Sequence, residues 1–127
     1  MDTGAMETYR GSCHCGDVAF EVDTDLDGVA VCNCSICQRR NAVMHRVPAD
    51  RFRLLQGEES LALYQFNTGA AKHYFCKRCG TYPFHRPRIA PDAYTVNVFC
   101  LDGIDRDLVA TLPVTFIDGR TFSVKPE

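Results

Sequence analysis

No apolar run in the 127-residue chain approaches the roughly 20 residues that a membrane-crossing helix needs, which excludes a helical span. The opening Met1-Asp2-Thr3-Gly4-Ala5 lacks the basic and apolar regions of a secretion signal, so a cytoplasmic setting is expected. An excess of one charge is missing too: 14 Lys and Arg stand against 16 Asp and Glu, a net charge of -2. That balance gives no overall field for nucleic acid or an anionic membrane. Any polyanion contact would have to be local, through Arg39/Arg40, Lys77/Arg78 or Arg86/Arg88. Internal repeats, low-complexity tracts and charge blocks are also absent. With 46% hydrophobic and 24% charged residues, the chain suits one globular domain over 10–127, after a loose segment 1–9.

Long helical patterns are scarce as well. Val18, Phe20 and Val22 alternate with Ala19, Glu21 and Asp23, the period of a half-buried strand. Strand-like stretches follow at Val43 to Val47, Phe52 to Leu55, Leu61 to Phe66, His73 to Phe75, Tyr94 to Phe99, Val114 to Ile117 and Thr121 to Val124. Helix is expected only in a short piece near Ser35 to Arg40 and a turn near Pro48 to Arg51. The fold class is mainly β.

What the chain has in abundance is cysteine, eight in all: Cys13/Cys15, Cys32/Cys34/Cys37, Cys76/Cys79 and a lone Cys100. In a reducing compartment such clusters point to metal or catalysis more than to disulfides. Zinc takes about four ligands in a tetrahedron, with thiolates drawn from converging segments. In an extended segment alternate side chains share a face, so Cys13 and Cys15 would point together, as would Cys32 and Cys34. Cys76-Lys77-Arg78-Cys79-Gly80 is a zinc-knuckle pattern in which a tight turn joins two sulfurs. A thioredoxin-like reading of that CxxC wants a βαβ setting that the pattern does not offer.

Two pairs, Cys13/Cys15 and Cys76/Cys79, make one complete four-sulfur site, and Cys32, Cys34 and Cys37 leave a metal with three protein ligands. Three-ligand zinc has room for solvent or substrate, the arrangement of catalytic sites. On spacing alone two alternatives stay open: Cys100 completes the second site, or Cys34/Cys37 joins Cys76/Cys79. As Cys100 alternates with Val96 and Val98, a buried free thiol is expected there.

The series Gly11-Ser12-Cys13-His14-Cys15-Gly16, Cys32-Asn33-Cys34-Ser35-Ile36-Cys37 and Phe75-Cys76-Lys77-Arg78-Cys79-Gly80-Thr81 resembles the glutathione-dependent formaldehyde-activating enzyme family. Pro48 to Phe52, Phe66-Asn67-Thr68 and His85 to Arg88 are closer to its centromere protein V-like branch. The resemblance implies an Mss4-like fold of β-sheets clamped by zinc. It implies structural zinc on Cys13, Cys15, Cys76 and Cys79, and a second, catalytic zinc on Cys32, Cys34 and Cys37. The implied reaction is reversible addition of glutathione to formaldehyde, giving S-hydroxymethylglutathione, a carbon-sulfur lyase chemistry.

Three thiolates already over-neutralise a zinc ion and weaken it as a Lewis acid. The metal is therefore expected to bind and orient a thiol rather than polarise a carbonyl. His85, Arg86 and Arg88 follow the knuckle and are the candidates to meet a glutathione-like substrate's carboxylates, the other reading being a solvated edge strand. Arg39 and Arg40 follow Cys37 and would offset cluster charge or lie on the surface. His45, on a strand face with Val43 and Val47, reads as a packed, hydrogen-bonded histidine; His14 and His73 have no inferable partner. The competing function is a zinc-stabilised binding module without catalysis.

Overall fold

The computed structural model describes residues 6–66, 69–88 and 90–122. In chain order the strands are β1 (Glu7–Ser12), β2 (Ala19–Thr24), β3 (Val29–Cys32), β4 (Met44–Pro48), β5 (Phe52–Gln56), β6 (Leu61–Tyr64), β7 (Lys72–Cys76), β8 (Phe84–Arg86), β9 (Ala93–Asn97) and β10 (Val114–Ile117). Three short helices, α1 (Ser35–Arg40), α2 (Arg106–Val109) and α3 (Gly119–Phe122), complete a mainly β protein. No helix among the described residues is long and apolar enough to cross a membrane.

The strands form two sheets, a three-stranded one ordered β1-β2-β5 and a seven-stranded one ordered β10-β3-β4-β9-β8-β7-β6. Pairing is antiparallel except where β10 lies parallel to β3 at the edge of the larger sheet. Successive side chains on a strand point to opposite faces, and this decides what the large sheet does. One face carries Val47, Phe84, Tyr94 and Val96, which pack with Phe20, Val22 and Phe52 of the small sheet into one core. Phe52 is its hinge point, its ring stacked 4.0 Å from Tyr94 and 5.4 Å from Phe20, with Phe84 edge-on at 4.8 Å. His45 belongs to this core face as well. Its Nε2 lies 2.6 Å from Thr24 Oγ1 and its Nδ1 3.4 Å from Gly28 O, the packed, hydrogen-bonded histidine expected.

The opposite face carries Met44, Arg46, His73, His85 and Thr95, which line a cavity. Cross-strand register sets four of these in one row: His73 on β7 opposes His85 on β8, His85 opposes Thr95 on β9, and Thr95 opposes Arg46 on β4.

Several boundaries differ from the sequence pattern. β1 begins at Glu7, inside the segment expected to be loose. It pairs Glu7 to Ser12 with Thr24 to Ala19, and its mostly exposed polar side chains leave no apolar alternation to read. β3 is four residues long, too short to stand out. β8 is an interior strand rather than a solvated edge: Pro83 and Pro87 flank it, so their missing N–H groups remove no ladder bond from within it. β9 stops at Asn97, whose side chain accepts from the Phe99 N–H at 3.1 Å and folds Val98–Cys100 into a 3-10 turn. Thr121 and Phe122, expected in a strand, belong to α3, and the rest of that stretch lies outside the described residues.

Candidate metal and active site

Two knuckle turns build the first cysteine cluster. Gly80, at φ +79°, donates its N–H to Cys76 O at 2.8 Å, and Gly16, at φ +87°, donates to Cys13 O at 3.2 Å. Both glycines take the left-handed conformation that side chains resist. The Cys13-x-Cys15 segment is thus a turn, not the extended stretch expected, and a turn also converges the sulfurs. Cys13 Sγ and Cys15 Sγ are 3.6 Å apart, as are Cys15 Sγ and Cys76 Sγ. The four sulfurs of Cys13, Cys15, Cys76 and Cys79 all lie within 4.8 Å of one another. A tetrahedral zinc with Zn–S near 2.3 Å sets its sulfurs about 3.8 Å apart, so the donor set fits that ion. Cys13 and Cys76 are buried in the core, and the Val18 N–H donates to Cys13 Sγ at 3.3 Å.

The second cluster is local. Cys32 closes β3, Cys34 is the residue before α1, and Cys37 sits in the first turn of that helix. Their sulfurs also lie within 4.8 Å of one another, and the Cys34 N–H reaches Cys32 Sγ at 3.5 Å. The thiol of Cys34 is lowered to about 5, chiefly by a hydrogen bond from Cys37 and further by the backbone N–H groups of Cys37 and Ile36. That bond, with burial, pushes the Cys37 thiol up.

The segment from Ile117 to Arg120 closes over this cluster. Asn33 donates its N–H to Ile117 O at 3.2 Å and its side-chain amide to Asp118 Oδ1 at 3.0 Å, and accepts from the Arg120 N–H at 2.9 Å. Gly119 comes so close that a Cβ there would run into Cys32 Sγ and lie 3.1 Å from Cys34 Cβ.

The sulfurs group in only one of the ways that spacing allowed. Cys34 and Cys37 do not join Cys76 and Cys79, and Cys100 belongs to neither group. Its thiol donates to Tyr82 O at 3.7 Å and is pushed up to about 12 by burial.

Cys32, Cys34 and Cys37 open onto the sheet-face cavity, which measures about 420 Å³. The glutathione-dependent formaldehyde-activating enzyme family model matches residues 8–115. The chain belongs to that family. It is also similar to a solved structure from Rhodobacter sphaeroides, 38% identical, with a TM-score of 0.78 over 84% of this chain and 98% of that one. The mainly β architecture with two cysteine clusters agrees with the Mss4-like fold that membership of the formaldehyde-activating family implies.

Of the other residues singled out, His85 and Arg88 line the cavity and Arg86 does not. Alternation along β8 turns Arg86 to the other face, where its guanidinium stacks 4.4 Å over Tyr94 and donates to Pro91 O at 2.8 Å. Arg39 bonds within its own helix, to Ser35 O at 3.1 Å. Arg40 instead turns inward, 3.7 Å over the Tyr82 ring, and donates to His73 Nδ1 at 3.3 Å. His14 is exposed on the first knuckle. Arg46, His73 and Thr95 carry no motif and could have been found only from the register that sets them beside His85.

Proposed function

We propose that this member of the formaldehyde-activating family joins a small thiol, glutathione or a close analogue, reversibly to an aldehyde, working with two zinc ions in the reducing cytoplasm. The carrying observation is the contrast between the clusters: four thiols converge with Cys13 and Cys76 in the core and Cys15 and Cys79 packed against it, whereas three open onto a cavity of about 420 Å³. Four sulfurs complete a tetrahedron and three leave a position for substrate. Cys13, Cys15, Cys76 and Cys79 would hold the structural ion, which would pin β1–β2 to β7. Cys32, Cys34 and Cys37 hold the other, and zinc bound there supplies a site at which a substrate thiol loses its proton at neutral pH.

The chain's own residues do the rest. Arg46 and Arg88 on the cavity wall meet the carboxylates of the thiol, the bidentate pairing that guanidinium favours. With the thiol fixed, the aldehyde carbon is held beside its sulfur. The S–C bond forms, the carbonyl π pair moves to oxygen, and that oxygen takes a proton equivalent to the one the thiol gave up. The lyase direction reverses each step.

The test is a zinc count on reduced, freshly purified protein together with the rate of S-hydroxymethylglutathione formation. The wild type should carry up to two zinc ions and accelerate the reaction. Cys34→Ser should keep the fold and one zinc yet lose the acceleration. A two-zinc wild type that neither binds glutathione nor changes the rate would leave a zinc-stabilised binding module as the better reading.

A further inference from the structure

If three thiolates weaken zinc as a Lewis acid, the charge that develops on the aldehyde oxygen must be met by the protein. The polar row across β7, β8 and β9 has the groups to do it. His73, His85 and Thr95 oppose one another in register, line the same cavity as Cys32, Cys34 and Cys37, and are only 4%, 6% and 6% exposed. Two of the three have polar atoms without use: His73 Nε2 and Thr95 Oγ1 are buried with no hydrogen-bond partner among the described residues. A buried polar group left so costs stability, and such exceptions are uncommon in folded proteins.

The partners of the other ring nitrogens fix where the protons are. A guanidinium can only donate, so the bond from Arg40 makes His73 Nδ1 an acceptor and leaves the proton of the neutral ring on Nε2. Tyr82 is buried, and its hydroxyl, 2.6 Å from His85 Nδ1, has no other partner among the described residues. Donation to that nitrogen is the arrangement that satisfies the buried O–H, and it again leaves Nε2 as the N–H of the neutral ring. Burial lowers both imidazoles below the usual histidine range, with Arg40 adding to the effect at His73, and His73, Arg40 and Arg46 adding to it at His85. The His73 and His85 rings stack with centroids 5.0 Å apart.

We propose that His73 Nε2–H and His85 Nε2–H, with the Thr95 hydroxyl beside them, form an oxyanion pocket that receives the oxygen of the aldehyde-derived carbon in the thiol adduct. The proposal rests on the thiol-site reading of the cavity given above. As the S–C bond forms, the carbonyl oxygen becomes an alkoxide held by two preorganised N–H donors. Neither histidine gives up its proton; the alkoxide takes one from water, replacing the proton the thiol released. Arg40 and Tyr82 are positioning residues that fix the two tautomers. Donors so placed cost no reorganisation when the charge appears, which is where such pockets gain their effect.

Three measurements on zinc-loaded full-length protein test this. Long-range proton–nitrogen NMR of the histidine rings at pH 7 should show both as the neutral Nε2–H tautomer; either ring as Nδ1–H or doubly protonated overturns the pocket. Calorimetry should find S-hydroxymethylglutathione binding about tenfold tighter than S-methylglutathione, which lacks only the hydroxyl. That preference should vanish in H73F/H85F while zinc content stays unchanged. Equal binding of the two to the wild type overturns the pocket and leaves the thiol site standing, whereas no binding of either, or of glutathione, means that the thiol-site reading has failed and the pocket falls with it. In turnover, His85→Phe should lose roughly 100-fold in kcat with glutathione affinity unchanged. His85→Gln, which keeps an N–H near the same place, should recover most of it. A His85→Phe enzyme with zinc bound and wild-type kcat would also overturn the assignment.

Discussion

Replacing Gly119 by alanine sets two effects of opposite sign against each other. In a helical turn, alanine for glycine ordinarily stabilises by about 0.5–1 kcal/mol, through propensity and a less flexible unfolded chain. Here the new methyl would run into Cys32 Sγ and lie 3.1 Å from Cys34 Cβ. Those neighbours have little freedom to yield, because Asn33 between them is tied to Asp118 and to the Arg120 N–H. Forcing an extra carbon into such a place costs about 1–3 kcal/mol, enough to exceed the helix gain, and the strain falls on two of the three cysteines proposed to hold the open-site ion. The variant should therefore fold with its four-sulfur cluster intact. It should hold metal at Cys32, Cys34 and Cys37 about 10–100-fold less tightly, or about 1.4–2.7 kcal/mol. Titrating zinc-loaded protein with a chromophoric chelator resolves the two classes of ion. One should match the wild type and the other should release early, with the melting temperature within a few degrees. Unchanged affinity in both classes would refute the placement of Gly119 over the cluster.

Cys76→Ser or Cys13→Ser, which removes a ligand in the core, should give unfolded or insoluble protein, because metal binding and folding are coupled in small zinc domains; soluble expression with an unchanged melting temperature would contradict this. Phe52→Ala should destabilise by about 3–5 kcal/mol in denaturant titration, since that ring bridges both sheets. The His73 ring, lowered to about 4 from 6.5 by burial and then by Arg40, takes up a proton more readily unfolded than folded. Its contribution is thus complete above about pH 6.5 and lost as pH falls toward 4, a slope near 1.4 kcal/mol per unit and about 3 kcal/mol in total, visible as the difference between wild type and His73→Gln. Charge reversal at Arg46 or Arg88 should weaken glutathione binding by calorimetry without removing zinc, and Arg86→Glu should not, given its place on the far face.

How much of this is legible in the sequence depends on how locally each feature is encoded. Cys76 to Gly80 carries its own turn, and Cys32 to Cys37 spans a strand end and one helical turn, so both cysteine groups can be read from spacing. α1 matches the expected Ser35 to Arg40. Pairing Cys13 and Cys15 with Cys76 and Cys79 is different, since it joins segments 61 residues apart, and spacing left other combinations open. The polar row is further from reach. His73, His85, Thr95 and Arg46 come from four strands whose alignment is fixed by cross-strand packing, and nothing in any one strand announces it. His85, Arg86 and Arg88 read as one candidate group because a motif ignores the pleat, whereas the pleat sends Arg86 to the face opposite His85.

That pleat carries a further consequence for β8. The segment from Pro83 to Pro87 answers to two surroundings at once: Phe84 must reach the aromatic core while His85 reaches the cavity. Because the side-chain period is two, deleting or inserting one residue between the prolines would exchange their sides, driving a phenyl ring toward the cysteine triplet and an imidazole among Phe20, Phe52 and Tyr94. Substitutions in this stretch can be graded, from mild to severe. A change of its length cannot, and it would abolish the fold and the chemistry together.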